Sequence, residues 1–371
     1  MATPCLFFNQ DILKARHFET FDALRFFAYL KVFLLHLPVT FPVFSFLKRG
    51  GGIGVSFFFV LSGFLISYII FQEKEKTGKL NLRNFYIRRI LRIWPLYYLT
   101  LLFAFCTPYI VELLHLHSSS EGYEPSWLLY SLFLGNYQGI SYNALPNVSP
   151  LGVMWSLCVE EHFYLIWGIL LYFVKLKRIP WFFAGGIIVA NLSRIIFFQL
   201  GLNTFDILTN LDLFIYGAIP AYFIVKFPGK IEHKALSFSK KEKILYVLFV
   251  IGMVIVLPLM SDLMKAFLVP AVFGAAFAGL ITLFTPEKSD FYISDRNGLS
   301  IMGRYSYGTY LFHSVWISFF IQIFSGLQMP LDIGIYGIMF VGITFLCTLG
   351  SAWLSYHFFE KRFLNLKKKF Y

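Results

Sequence analysis

Charged residues are scarce in this chain of 371 residues. They make up 14% of the sequence, whereas a soluble globular domain carries about 25%. Hydrophobic residues make up 58% and aromatic residues 20%, a composition that suits lipid-facing surfaces and the aromatic belts of membrane interfaces. This composition excludes a soluble globular fold and indicates a protein with many membrane spans.

Cysteines are few, and internal repeats are missing. The four cysteines lie far apart without CxxC spacing, so we expect inert small hydrophobic residues and no metal site. No segment repeats another, so the sequence lacks the inverted repeats of many secondary transporters. The net charge of +12 does not indicate a nucleic-acid partner, because the chain leaves no room for a water-exposed domain that could carry a basic patch.

Apolar stretches of membrane-spanning length follow one another along most of the chain. A span takes about 20 residues, so spans and short connections leave no room for a second sizeable domain. The sequence therefore predicts an all-α polytopic bundle of about ten transmembrane helices. They lie near residues 22–46, 53–72, 94–114, 155–174, 181–200, 207–226, 244–260, 264–285, 301–324 and 331–356.

Lysine and arginine are distributed unevenly between the two sides of these spans. With a cytoplasmic N-terminus, 26 of the 32 Lys and Arg residues lie in or beside cytoplasmic segments, as the positive-inside rule requires. The sequence therefore predicts that both termini are cytoplasmic. We expect a cytoplasmic lead at 1–20, a membrane domain at 21–360 and a basic cytoplasmic tail at 361–371.

The longest outer connection, residues 115–154, is the expected lid for a molecule that approaches from outside. It contains one amphipathic piece, SWLLYSLFLGNY. This piece could lie along the membrane surface or re-enter the bundle.

The first span contains ionisable residues that a lipid environment makes costly. A charge at mid-bilayer costs about 3 kcal/mol on insertion scales, so such residues are functional candidates. Arg25 and His36 are eleven residues apart, which places them on one helix face and about 16 Å apart. Alternatively, Arg25 could reach the lower interface and His36 could hydrogen-bond a carbonyl of a neighbouring helix.

A cluster of arginines precedes the third span. Arg89 and Arg92 are one helical turn apart and form a pair of guanidinium groups suited to phosphate, which arginine binds through two parallel hydrogen bonds. The alternative is an anchor that obeys the positive-inside rule beside the aromatic residues at 94–98.

Polar residues also occur in the fourth and ninth spans. Ser156 and Glu160 are four residues apart and share a helix face. A Glu160 carboxylate at the depth of His36 could hydrogen-bond the imidazole and raise its basicity. Tyr310 and His313 lie in the middle of the ninth span and are weaker candidates for contact with a ligand.

Other polar and small residues within the spans have structural interpretations. Arg194 is expected to pair with a carboxylate such as Asp206 or Asp212, as charges inside a membrane often do. Ser62 and Gly63 in the second span allow close approach of a neighbouring helix.

Six segments together resemble the acyltransferase-3 family of membrane acyltransferases. The resemblance covers nearly the whole chain, and the segments occur in the family's order. They include an R-x10-H first span, an R-x-x-R stretch and an S-x-x-x-E segment, and they read FDALRFFAYLKVFLLH, GIGVSFFFVLSGFLI, FYIRRILRIWPLYY, WSLCVEEHFYL, MGRYSYGTYLFH and YHFFEKRF.

The resemblance implies an O-acyltransferase of the plasma (bacterial inner) membrane. Such an enzyme moves an acyl group, with acetyl expected here, from cytoplasmic acyl-CoA to a hydroxyl of an extracytoplasmic or lipid-linked glycan. The chain resembles the stand-alone type without a fused esterase-like domain. The resemblance assigns Arg25 and His36 to the essential pair, Arg89 and Arg92 to the CoA phosphates, and Ser156 and Glu160 to the fourth-span motif.

The order of charges along the bundle agrees with this expectation. The CoA phosphates would dock at the arginines and the thioester would reach His36, which accepts the proton of the acceptor hydroxyl. Glu160 would stabilise the resulting imidazolium, and Ser156, Tyr310 and His313 are expected to contact substrate. Direct transfer and a covalent acyl relay both remain open.

Two other classes of protein fit part of this pattern. A transporter or flippase would use the buried charges as a substrate or proton path, but the missing repeats and the arginines at one edge count against it. A membrane sensor that has lost catalysis is the third possibility. The intact R-x10-H and S-x-x-x-E spacings count against the sensor.

Overall fold

The computed structural model describes residues 16–113, 115, 121–256 and 259–370. Within these ranges the secondary structure is helical and contains no β-strand. The α-helices are α1 Thr20–His36, α2 Pro42–Lys48, α3 Ile53–Thr77, α4 Leu82–Leu113, α5 Trp127–Ser131, α6 Gly135–Tyr142, α7 Trp155–Phe173, α8 Ile179–Gln199, α9 Ile207–Lys226, α10 Lys230–Ser237, α11 Lys240–Val256, α12 Asp262–Phe284, α13 Gly298–Arg304, α14 Ser306–Gly326, α15 Gly334–Ser355 and α16 Lys361–Lys367.

The long helices correspond to the predicted spans. Ten helices in the described ranges have 17 residues or more, and each overlaps one predicted span. Seven stretches are both long and apolar enough to cross a membrane. α1, α11 and α14 lie outside that set; α1 and α11, at 17 residues each, are shorter than a bilayer core of about 30 Å requires. The all-α polytopic bundle is confirmed, and the number ten is not.

Two predicted spans have different boundaries in the structure. The first was expected to run from 22 to 46, but α1 ends at His36 and α2 begins at Pro42. Pro38 explains this end, because the residue before a proline is driven out of the helical conformation. The third was expected to begin at 94, but α4 begins at Leu82, so the arginine cluster lies on the same helix as the apolar stretch.

Helix α3 lies at the centre of the core and packs against α9 along most of its length. The two helices meet at glycines. A Cβ atom on Gly63 would collide with the carbonyl oxygen of Phe214, and one on Gly217 would collide with the carbonyl oxygen of Val60. The close approach expected from small residues at Gly63 is confirmed, and it fixes the position of the α3 face that carries Ser62.

The amphipathic piece of the outer connection forms α5 and the start of α6. Tyr130 and Asn136 are buried, whereas Trp127 and Leu128 are exposed. The Tyr97 hydroxyl donates a hydrogen bond to the Tyr130 carbonyl oxygen at 2.7 Å, which ties α5 to α4. The piece therefore packs on the bundle as two short helices.

Candidate active site

Five helices line a cavity of about 120 Å³ in the bundle, which is partly open to solvent. α1, α3, α4, α7 and α14 each contribute to its wall. Among the lining residues are six of the eight candidates selected from the sequence, namely Arg25, Arg89, Arg92, Ser156, Glu160 and Tyr310. Residues that are distant in sequence therefore meet around one space.

Arginines from two helices line this cavity. Arg25 of α1 is ion-paired with Asp22 one turn earlier on the same helix. Arg89 and Arg92 of α4 line the same space. The neighbouring Arg88 is buried and does not belong to the lining. Arg89 and Arg92 are about one helical turn apart on α4, so both side chains lie on the same side of the helix.

The carboxyl group of Glu160 is held between α3 and its own helix. The Tyr164 hydroxyl donates to it at 2.8 Å and the Ser62 hydroxyl at 3.3 Å. The expected hydrogen bond from Glu160 to His36 is wrong, because α7 turns this side chain toward α3. The sequence pattern predicts only a packing role for Ser62 and none for Tyr164, although Tyr164 lies four residues from Glu160, the spacing of helix neighbours.

Glu161 also lines the cavity, although it points about 100° away from Glu160 around the helix. The Trp94 indole nitrogen donates to its carboxylate at 3.4 Å. Glu160 and Glu161 therefore lie on either side of the α7 face that lines the cavity. Glu160 reaches α3 and Glu161 reaches α4.

Ser156 and Tyr310 form a polar contact at the cavity wall. Their hydroxyl oxygens are 2.6 Å apart, and each hydroxyl is also within hydrogen-bond distance of the Val153 carbonyl oxygen, at 3.1 and 3.2 Å. Both residues are buried. This contact joins the start of α7 to α14, and it was not foreseen from the sequence.

The two candidate histidines lie beside the cavity and form a pair. His36 is exposed at the end of α1, and His313 is fully buried in α14. His313 Nε2 lies 3.4 Å from His36 Nδ1. Neither residue lines the cavity, but the Tyr310 ring, which does, has its centroid 5.8 Å from that of His313.

Backbone carbonyls fix the tautomers of this pair. His313 Nδ1 donates to the Tyr310 carbonyl oxygen at 2.6 Å, and His36 Nδ1 donates to the Val32 carbonyl oxygen at 2.9 Å. A carbonyl oxygen only accepts, so both Nδ1 atoms carry a proton. The lone pair of neutral His313 then lies on Nε2 and faces His36 Nδ1, and the lone pair of neutral His36 lies on Nε2.

Arg194 and Asp212 form a buried ion pair between α8 and α9. Both nitrogens of the Arg194 fork reach the Asp212 carboxylate, at 2.8 and 2.6 Å. The expected pairing of Arg194 with an aspartate is confirmed for Asp212. Asp206 instead caps α9 by accepting from the Leu208 backbone N–H. Neither Arg194 nor Asp212 lines the cavity, so the pair joins helices.

One group in the described residues has the composition of a metal site. The ligand atoms of His17, Asp22 and Asp295 lie within 4.8 Å of one another. His17 and Asp295 contact each other at 3.0 Å, and Asp22 is ion-paired with Arg25. These contacts account for all three side chains, and we assign the group no metal.

Comparison with known proteins identifies similar sequences. Residues 18–357 match the model of the Acyl_transf_3 family, described as an acyltransferase domain. The peptidoglycan O-acetyltransferase OatA of Listeria monocytogenes is 34% identical over 173 residues, 44% of this chain and 26% of that protein. The O-acetyltransferase OatA of Staphylococcus aureus is 26% identical over 378 residues, 95% of this chain and 58% of that protein.

The chain therefore spans less than two thirds of the length of these curated relatives. The putative peptidoglycan O-acetyltransferase YrhL of Bacillus subtilis gives a similar result, with 34% identity over 42% of this chain and 24% of that protein. No solved structure matches the chain.

Proposed function

This chain belongs to the Acyl_transf_3 family of acyltransferases, and from that premise we propose that it transfers an acetyl group from acetyl-CoA to a hydroxyl of a cell-surface glycan. The observation that carries the proposal is the cavity that joins Arg25, Arg89 and Arg92 to Ser156 and Tyr310. Family membership also supports an acyltransferase over the transporter alternative.

The arginines give the cavity the chemistry that the head of a coenzyme A thioester needs. Its phosphates carry several negative charges, and arginine forks bind phosphate through paired hydrogen bonds. Arg89 and Arg92 would hold the phosphates, and Arg25 would extend the positive surface into the cavity. The donor is therefore proposed to enter from the side of the bundle where α1 begins.

The remainder of the cavity suits the pantetheine arm of the donor. This arm carries two amide groups, which need both hydrogen-bond donors and acceptors. The Glu160 carboxylate and the Tyr164 hydroxyl, which both line the cavity, supply them. We therefore propose that Glu160 positions the donor, since its contacts in the structure are with Ser62 and Tyr164 and not with His36.

His36 is proposed as the general base. Its Nε2 lone pair takes the proton of the acceptor hydroxyl as the hydroxyl oxygen bonds to the thioester carbon. The carbon–sulfur bond then breaks, and the thiolate leaves with that proton as free coenzyme A. The Val32 carbonyl oxygen holds the reactive tautomer, and His313 Nε2 is a second acceptor for the same Nδ1 proton. Removal of a general base typically costs about 10²–10⁴ in rate.

Tyr310 lies between the donor cavity and the histidine pair. Direct transfer requires the thioester to pass this side chain, whereas a relay would first place the acyl group on Ser156 or on a histidine. A single-turnover reaction without acceptor separates the two routes. A relay releases one equivalent of coenzyme A and leaves an acetylated protein, and direct transfer releases none.

The acceptor is proposed to approach from the opposite side. His36 is exposed at the far end of α1 from Arg25, so the two substrates would meet across the bundle. The relatives that are named peptidoglycan O-acetyltransferases make peptidoglycan and its lipid-linked precursors the first acceptors to test. The plasma membrane is the proposed location.

Two measurements test this function together. Mass spectrometry of surface glycans from cells with and without the protein should show O-acetyl groups that depend on it. Purified wild-type protein should transfer label from acetyl-CoA to the same glycan, and the His36→Ala variant should bind acetyl-CoA within a few fold of wild type yet lose about 10²–10⁴ in rate. Near-normal transfer by His36→Ala would contradict the mechanism, and unchanged glycans would contradict the function.

A further inference from the structure

The hydroxyl groups of Ser156 and Tyr310 form a fixed pair at the cavity wall. Both side chains line the cavity, and both residues are more than nine-tenths buried. Their oxygens are 2.6 Å apart, and the Val153 carbonyl oxygen lies 3.1 Å from the Ser156 oxygen and 3.2 Å from the Tyr310 oxygen. One backbone carbonyl therefore holds two hydroxyl groups from different helices, α7 and α14.

The positions of the two hydroxyl protons follow from these distances. An oxygen–oxygen distance of 2.6 Å is that of a hydrogen bond, so one proton lies between the two hydroxyl oxygens. A carbonyl oxygen only accepts, so the other proton points to Val153. A phenol is a stronger acid than an alcohol, which favours Tyr310 as the donor to Ser156 and Ser156 as the donor to Val153. The Tyr310 proton can therefore turn to a ligand in the cavity while the bond to Val153 stays in place.

Acyl transfer from a thioester places a negative charge on the thioester carbonyl oxygen. As the acceptor oxygen bonds to the thioester carbon, its proton passes to His36 Nε2 and an electron pair of the carbonyl moves to the carbonyl oxygen. When that pair returns, the carbon–sulfur bond breaks and the thiolate takes the proton from His36. A hydrogen-bond donor fixed at the carbonyl oxygen stabilises the transition state, and loss of one such donor typically costs about 10²–10³ in rate.

Tyr310 is a cavity residue that lies next to the histidine pair. Its ring centroid is 5.8 Å from that of His313, and the centroids of His313 and His36 are 5.0 Å apart. Arg25, by contrast, is eleven residues from His36 along α1, or about 16 Å. A thioester carbonyl bound at Tyr310 is therefore close enough for the acceptor hydroxyl to lie between it and His36. Ser156 is the second residue of α7, and the dipole at this helix end favours negative charge.

We propose that Tyr310 donates the hydrogen bond that stabilises this oxyanion and that Ser156 positions it. This inference rests on the proposed function and deepens it. As charge develops on the thioester oxygen, the Tyr310 proton turns from Ser156 to that oxygen, so a charge-assisted hydrogen bond replaces a neutral one. Ser156 remains bonded to Val153 and keeps the Tyr310 hydroxyl at the cavity wall. Tyr310 is thus a catalytic residue, and Ser156 is a positioning residue.

Steady-state kinetics on the purified full chain test the proposal. Tyr310→Phe removes the proton and keeps the ring that packs against Phe58 and His313. We expect it to lose about 10²–10³ in kcat and to bind acetyl-CoA within a few fold of wild type. Ser156→Ala should lose less, because the Tyr310 proton remains.

Tyr97→Phe is the matched control. It removes another buried tyrosine hydroxyl, which donates to the Tyr130 carbonyl oxygen at 2.7 Å. Tyr97 does not line the cavity, so this variant should transfer acetyl groups at the rate of wild type. A loss in Tyr97→Phe as large as that in Tyr310→Phe would show that any buried hydroxyl is needed for packing, and would overturn the proposal.

Two coenzyme A analogues separate an oxyanion contact from a structural role. A trifluoromethyl ketone in place of the thioester hydrates to a tetrahedral form that carries negative charge on oxygen, whereas the corresponding methyl ketone stays trigonal. Wild type should bind the trifluoromethyl ketone at least about 10²-fold more tightly, as transition-state analogues bind, and Tyr310→Phe should bind the two about equally. Equal losses of affinity for both analogues in Tyr310→Phe would assign Tyr310 to the shape of the site and overturn the proposal.

A single turnover with acetyl-CoA and no acceptor tests whether the pair carries the acyl group instead. Peptide mass spectrometry of the protein should find Ser156 and Tyr310 unmodified. An acetyl group on either oxygen would make that residue an acyl carrier and overturn the proposal.

The outcomes also separate this inference from the function on which it rests. If wild type transfers acetyl groups and Tyr310→Phe transfers them equally well, the role of Tyr310 is wrong and the proposed function stands. If the wild-type protein transfers no acetyl group and binds neither analogue, both are wrong.

Discussion

Each neutral imidazole of the histidine pair carries one ring proton, and the position of that proton decides which ring nitrogen can accept another. Carbonyl oxygens of Val32 and Tyr310 hold the Nδ1 protons, so the Nε2 atom of His36 is the nitrogen that can accept a proton. His313 Nε2 lies 3.4 Å from His36 Nδ1, so it is a second acceptor for the proton that the Val32 carbonyl oxygen accepts. We propose that this contact supports the basicity of His36, although His313 does not line the cavity.

Substitutions of His313 test this dependence. His313→Gln keeps a carbonyl oxygen that can accept from His36 Nδ1, and His313→Leu removes the acceptor. We expect His313→Leu to lower the transfer rate about 10- to 100-fold, less than the 10²–10⁴ typical of losing the base itself. His313→Gln should recover a large part of that loss. Both should bind acetyl-CoA as wild type does, and equal rates for the two variants would contradict the role.

The arginines of α4 make a separate prediction at the same scale. Arg89→Ala and Arg92→Ala should each weaken acetyl-CoA binding, because each removes a charge-assisted contact worth about 1.5–3 kcal/mol. Arg83 lies on the same helix and is exposed, so Arg83→Ala is the matched control and should bind normally. Isothermal titration measures all three. Unchanged affinity in the Arg89 and Arg92 variants would make the cluster a membrane anchor.

At the scale of elements, the contact between α3 and α9 positions much of the site. α3 carries Ser62, which bonds Glu160 of α7, and its distance from α9 is set by Gly63 and Gly217. A wider spacing would displace the Ser62 hydroxyl from the carboxyl group. The glycines thus act on the site through helix packing.

Gly217→Ala tests that packing. The added methyl group meets the Val60 carbonyl oxygen, so we expect a loss of about 1–3 kcal/mol in the free energy of unfolding, the usual cost of overpacking. Gly252→Ala in α11 is the control, because a Cβ atom there meets nothing within 4 Å. That substitution should be neutral or stabilising. Denaturation in detergent measures both, and equal stability of the two variants would show that the helices can separate without cost.

At the scale of the whole molecule, the proposed mechanism needs its two ends on opposite sides of the membrane. The arginine end must face the acyl-CoA pool, and the exposed His36 end must face the glycan. The distribution of Lys and Arg predicts the same orientation, with both termini cytoplasmic. Orientation and mechanism are therefore tested by one experiment.

Cysteine labelling from one side of the membrane provides that test. Glu124 in the outer connection and Lys241 at the start of α11 are both exposed. In a chain whose native cysteines are replaced, Glu124→Cys should react with an impermeant reagent added outside intact cells. Lys241→Cys should react only after the cells are opened. Labelling of both from the same side would contradict the span count and the mechanism.

Composition and local pattern determined much of this protein. The scarcity of charge and the long apolar runs fixed an all-α membrane bundle, because lipid offers no partner for an unpaired backbone group. Helix periodicity placed Arg89 beside Arg92 and Ser156 beside Glu160. Pro38, two residues after His36, marks the end of α1 in the sequence. The predicted span extends to 46 because the residues beyond this proline are also apolar.

The tertiary structure decided which of these residues meet. His36 pairs with His313, 277 positions later in the chain, and Glu160 bonds Ser62, 98 positions earlier. The sequence pattern favours a contact between His36 and Glu160 instead, because helix periodicity places residues along each helix axis but does not give the rotation of one helix against another. That rotation depends on the packing of whole surfaces, such as the glycine contact of α3 with α9. The packing of α16 against α4 has the same origin, since no local pattern shows where a helix near the end of the chain packs.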